Sequence, residues 1–75
     1  TAFPNVFVFP NPGNGLIELS SESVIDKVLV FDGMGKLIDA GIQGNQIDLS
    51  AFVQGVYFIQ VEIEGEREMI KYLKL

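Results

Sequence analysis

The side chains that most often do covalent chemistry are missing from this chain, which contains no histidine and no cysteine. A nucleophile needs a base beside it, so only a serine–lysine pair or a pair of carboxylates could serve. Ser20, Ser21, Ser23 and Ser50 fall among turn-forming residues, where a hydroxyl bonds the local backbone. Glu62, Glu64, Glu66 and Glu68 could in principle flank a glycosidic bond. They occupy the polar positions of an alternating segment and the turn after it, which reads as a solvated face. Calcium needs converging oxygen ligands, and Asp26, Asp32, Asp39 and Asp48 are too scattered for an EF-hand-type loop. Gly33-Met34-Gly35-Lys36 has two glycines and a lysine, but neither the spacing of a phosphate loop nor a helix behind it. The chain is not expected to be an enzyme, and no metal or cofactor is expected.

Composition narrows the partners. Seventy-five residues make one small domain, 1–75, with 1–5 read as a linker remnant. A chain of this size buries only about 60–65% of its unfolded surface, and without cysteine nothing covalent staples it. Stability must come from the core, to which a hydrophobic fraction of 48% and six phenylalanines are expected to contribute. Ten acidic and five basic residues give a net charge of −5. That balance argues against nucleic acid, whose phosphates need a basic face, and against an anionic membrane surface. No apolar run approaches the roughly 20 residues of a spanning helix. The chain opens at Thr1 with neither methionine nor signal peptide, and is expected to be a piece of a longer protein.

The elements that would position these residues are short strands. Apolar and β-branched runs are predicted to form strands at 6–9, 16–19, 27–31, 36–40, 46–49, 56–63 and 67–74. Pro10-Asn11-Pro12 stops the first, because proline lacks a ladder donor and holds its predecessor extended, and Gly13-Asn14-Gly15 completes the turn. Asp32 at the first and Gly35 at the fourth position of Asp32-Gly33-Met34-Gly35 fit a type I turn closed by a left-handed residue, so 27–31 and 36–40 read as a hairpin. Residues 41–45 read as a loop. From Tyr57 the odd positions Tyr57, Ile59, Val61 and Ile63 are apolar, while Gln60, Glu62 and Glu64 are polar. This is the period of a half-buried strand. The approach Leu49…Gly55-x-Tyr57 is similar to the corner before strand F of immunoglobulin-type sandwiches, where a tyrosine hydroxyl bonds back upstream. About seven strands with turn signals every 8–12 residues predict an all-β fold, a small immunoglobulin-like antiparallel sandwich. The last segment, Met69-Ile70-Lys71-Tyr72-Leu73-Lys74-Leu75, is apolar in both registers, and reads as covered on both faces.

In order along the chain stand Pro10-Asn11-Pro12 with Gly15, then Asp32-x-x-Gly35-Lys36, then Gly55-Val56-Tyr57 behind Asp48-Leu49-Ser50, then Lys71 and Lys74 in the last strand. This set resembles the type A C-terminal sorting domain of the type IX secretion system, also called the Por secretion system. The resemblance covers residues from about Phe7 to Leu75. It implies a signal domain fused behind a larger N-terminal cargo. The cargo crosses the periplasm, is recognised by components of the outer-membrane translocon, and reaches the cell surface or the extracellular space. There a sortase-type cysteine protease typically removes the domain, and the cargo is released or joined to anionic lipopolysaccharide. The motif residues named above are the recognition candidates that the resemblance supplies.

Each also has a purely structural explanation. Pro10, Asn11, Pro12, Gly15, Asp32, Gly35 and Gly55 suit turn geometry, Tyr57 suits the corner, and lysines on an edge strand deter aggregation. Three of the five basic residues, Arg67, Lys71 and Lys74, fall in the last nine positions of an otherwise acidic chain. A receptor could read that polarity, or add the last strand to a sheet of its own. An exposed last strand would also let two copies pair as a dimer. The competing function is a fibronectin-like accessory, carbohydrate-binding or spacer domain of a secreted protein. It would be expected to show an exposed aromatic platform, for which Phe3, Phe7, Phe9, Phe58 and Tyr72 are the candidates, most of them expected in the core.

Overall fold

The computed structural model describes residues 6–75. The predicted linker remnant at 1–5 and the aromatic candidate Phe3 lie outside them. Eight strands form among the described residues: β1 (Val6–Phe9), β2 (Leu16–Ser21), β3 (Lys27–Asp32), β4 (Leu37–Ile38), β5 (Gly41–Gln43), β6 (Gln46–Asp48), β7 (Gly55–Ile63) and β8 (Glu66–Lys74). They make two four-stranded antiparallel sheets, in the orders β1-β2-β6-β5 and β4-β3-β7-β8. The first matches the A-B-E-D sheet of an immunoglobulin domain, and β3-β7-β8 the C-F-G sheet. The predicted all-β sandwich is the observed fold.

The long strand at 36–40 is a difference. Its pairing ends at Ile38, and the chain crosses to the other sheet through Asp39 and Ala40. The segment read as a loop then holds β5, where Gly41, Ile42 and Gln43 pair with Asp48, Ile47 and Gln46. Gly44, at φ 60°, and Asn45 close that hairpin in two residues. Glycine density suggested irregular chain here, but one glycine serves the turn and the other lies within the strand.

The alternation of β7 is realised in full. Tyr57, Ile59, Val61 and Ile63 are buried, and they meet Ile17, Leu19, Ile47 and Leu49 of the facing sheet, with Val30 and Tyr72 alongside. Burying each such side chain stabilises the fold by roughly 1.5–3 kcal/mol. Among the described residues no phenylalanine belongs to this fully buried set. Phe7 and Phe9 sit at 59% and 46% exposure on the outer face of β1, because the inward positions of that strand are Val6 and Val8. Of the aromatic candidates expected mostly in the core, Tyr72 lies there and Phe7 and Phe9 do not.

The last strand is likewise not covered on both faces. Ile70 and Tyr72 point inward, whereas Met69, Lys71 and Leu73 are exposed on the outside. β8 is also an edge strand of its sheet.

Candidate recognition surface

The turn after β1 is built to touch the last strand. Phe9–Pro10 and Asn11–Pro12 are both cis peptides. Between the prolines, the Asn11 side chain copies a β-strand. Its Nδ2 donates to the Lys71 carbonyl at 2.9 Å, and its Oδ1 accepts the Leu73 amide at 3.1 Å. Gly13 continues the ladder with its own backbone, donating to the Leu73 carbonyl at 3.1 Å and accepting from the Leu75 amide at 2.8 Å. A β-carbon on Gly13 would stand 2.7 Å from the Pro10 carbonyl oxygen and 2.8 Å from the Tyr72 hydroxyl, so only glycine fits without displacement. Gly15 follows at φ 102° and donates its buried amide to the Tyr72 hydroxyl at 3.0 Å.

The other motifs form as local chemistry dictates. The Asp32 carboxylate accepts the Met34 and Lys36 amides, each at 2.9 Å, and Gly35 takes φ 84°. This is the expected turn with its left-handed closing residue. The Tyr57 hydroxyl donates to the Val53 carbonyl, four residues upstream, which makes the tyrosine corner. At the entrance to that corner the Ser50 hydroxyl and amide both bond Asp48 Oδ1, at 2.6 and 2.9 Å. The hydroxyl bond first, and the amide bond second, hold the Asp48 carboxyl below the usual carboxylate range. This serine is therefore occupied as a turn residue.

The motifs, more than 60 positions apart in sequence at their extremes, meet at one end of the sandwich. Across the sheet Asp32 stands opposite Tyr57, and Tyr57 opposite Tyr72. Val56 faces Leu73, and Gly55 faces Lys74. The Asn11–Gly13 clip lies on the far side of Leu73. The surface at this end therefore reads, in lateral order, turn Asp32–Lys36, start of β7, end of β8, clip. Sequence reasoning missed Gly13 and Tyr72 as parts of it. The available signal was parity, since Tyr72 shares its inward phase with Ile70.

Lys71 and Lys74 are not brought together. Three positions apart on a strand, they point to opposite faces. Lys71 lies beside Phe58 on the outer face, while the stem of Lys74 runs against Gly15. Arg67 shares the outer face with Lys71 and makes an exposed 3.6 Å contact with Glu62, of a kind that contributes little to stability.

One other region bears on function. The outer face of the β1-β2-β6-β5 sheet carries an open groove of about 660 Å³, lined by Phe9, Leu16, Glu18, Gln43, Gln46 and Asp48 among others. Among the described residues no group of carboxylates is placed to hold a metal ion, and no helix is long and apolar enough to cross a membrane.

Comparison with known proteins identifies the family. The profile of the secretion system C-terminal sorting domain matches residues 7–74, almost the whole chain. No individual curated protein matches it. The chain, folded as two packed four-stranded sheets, thus belongs to the type IX secretion system C-terminal sorting domain family, whose members direct a fused cargo toward the cell surface or beyond.

Proposed function

We propose that this domain works as a folded, removable address. It follows a larger cargo on the chain, is read in the periplasm by components of the outer-membrane translocon, and is then cut off by a sortase-type cysteine protease. The cargo is released or joined to anionic lipopolysaccharide. The observation that carries this reading is the meeting of all four family motifs at one end of the sandwich. Most of those residues are spent on shaping the end, so the receptor reads a shape and not a linear string. Cleavage at or before residues 1–4 falls upstream of Val6, the first paired residue among the described ones, and so outside both described sheets.

The test fuses residues 1–75 behind a fluorescent reporter carrying an inner-membrane signal peptide. The fusion is expressed in hosts with and without a working type IX translocon. Surface or extracellular reporter is expected only in the first host. Equal appearance in both would remove the sorting role.

A second reading is favoured by one observation. Phe7 and Phe9 are exposed on the sheet that carries the groove, and aromatic rings beside carboxylates and side-chain amides suit a saccharide. An accessory glycan contact on this face would leave the motif-bearing end free. On that reading, Phe7→Ala with Phe9→Ala weakens binding in a glycan screen and leaves reporter export unchanged. A chain that retains no glycan in the screen dismisses it.

A further inference from the structure

Only part of the β8 edge is used. On a strand, the N–H and C=O of one residue point to the same side, and the side alternates at each residue. The bonds to Asn11 and Gly13 identify Lys71, Leu73 and Leu75 as outward-facing. The same phase leaves the N–H and C=O of Arg67 and Met69, and the N–H of Lys71, facing away from β7. No pairing strand lies on that side among the described residues. Their side chains are equally available. Arg67, Met69 and Lys71 stand on the outer face in line with Glu62, Gln60 and Phe58, and Met69 is 51% exposed. Beside them the outer face continues through Phe58 and Phe31 to the exposed Leu37. The free edge thus opens onto an apolar shelf bracketed by two cations.

A second copy of the chain is a poor occupant. Symmetric antiparallel pairing must set outward-facing residues against each other. Centred on Met69, it opposes Arg67 to Lys71. Centred on Glu68, it opposes Glu68 to itself, and centred on Arg67 it opposes arginine to arginine. Centred on Ile70, it needs Leu73, whose groups Asn11 and Gly13 already occupy. Like charges directly opposite destabilise a sheet, so the edge is patterned against itself.

We infer that the free edge of β8, Arg67 to Lys71, accepts one antiparallel strand from a protein of the export machinery. The residues of that strand facing Arg67 and Lys71 are acidic, the one facing Met69 is apolar, and the one facing Glu68 is basic. Backbone bonds supply the docking, and the alternating charges set register and exclude self-pairing. The identity of the partner rests on the sorting role; the strand-accepting edge does not.

The test titrates the isotope-labelled 75-residue chain with the peptide Thr-Glu-Val-Ile-Lys-Glu-Thr and with its charge-inverted form Thr-Lys-Val-Ile-Glu-Lys-Thr. Slowed exchange and saturable shifts are expected at the Arg67, Met69 and Lys71 amides. The acidic-flanked peptide is expected to bind at least about tenfold more tightly. The double variant Arg67→Glu, Lys71→Glu should reverse that preference, and Met69→Pro, which removes an edge donor, should abolish binding of both. Absence of edge-amide shifts at millimolar peptide, or an unchanged preference in the double variant, overturns the inference. In cells, Met69→Pro on the reporter fusion is expected to reduce export at least about tenfold. Undiminished export of that variant sinks the edge alone, whereas a wild-type fusion that ignores the translocon sinks the sorting role and leaves the peptide result standing.

Discussion

Tyr72→Ala abolishes the cooperative unfolding transition of this domain near room temperature, as followed by far-ultraviolet circular dichroism in urea, and with it export of a fused reporter. Tyr72 is fully buried and is the largest side chain so placed. Removing an aromatic side chain from a core costs about 3–5 kcal/mol. The same change strips the buried Gly15 amide of its acceptor, for about 1–3 kcal/mol more. A domain of 75 residues has roughly 4–11 kcal/mol of total stability, so the two losses together approach the whole. Tyr72→Phe separates them. It keeps the ring, loses only the acceptor, and should lower the melting temperature by about 4–8 °C per kcal/mol lost. A Tyr72→Phe domain as stable as the parent would show that the hydroxyl does not hold the turn.

Gly15→Ala is expected to destabilise the domain by about 2–5 kcal/mol. Its φ of 102° is strained for any residue with a β-carbon, and that carbon would lie 2.8 Å from Lys74 Cε and 3.0 Å from the Leu49 carbonyl carbon. The lysine tip can swing aside, but the Leu49 backbone cannot. The Leu49 amide is bonded to the Gly15 carbonyl at 2.8 Å, and the Gly15 amide to Tyr72, so the strained peptide is pinned on both sides. Gly35→Ala is the matched control. Its φ of 84° is also left-handed, but nothing lies within 4 Å of the added carbon. That variant should lose only the conformational term, about 1–2 kcal/mol. Chemical denaturation of the pair checks the difference. Equal losses would mean that close packing at Gly15 contributes nothing.

What could be read from the sequence divides by range. The Asp32–Lys36 hairpin, the alternation of β7 and the corner at Tyr57 are built from neighbours, so residue types alone predict them. β5 escaped notice because a three-residue strand beside two glycines has no periodicity to detect. The phenylalanines were misplaced because richness in aromatics says nothing about phase, and β1 gives its inward positions to valines. Asn11 was visible as a turn residue, but its side-chain pairing with Lys71 and Leu73 spans about 60 positions and leaves no local mark. The opposite facing of Lys71 and Lys74 follows from strand period two.

The Asn11–Gly13 clip has a consequence for timing. Its partners lie at the far end of β8, so the turn after β1 finds its ladder only once that strand is in place. A nascent or truncated molecule lacking those residues leaves Asn11 and Gly13 with no partners there, and the four motifs never share an end. The bonds between this turn and β8 thus act as a check on folding. The address becomes legible only on a molecule in which β8 has been made and seated, and copies without a seated β8 fail to present it.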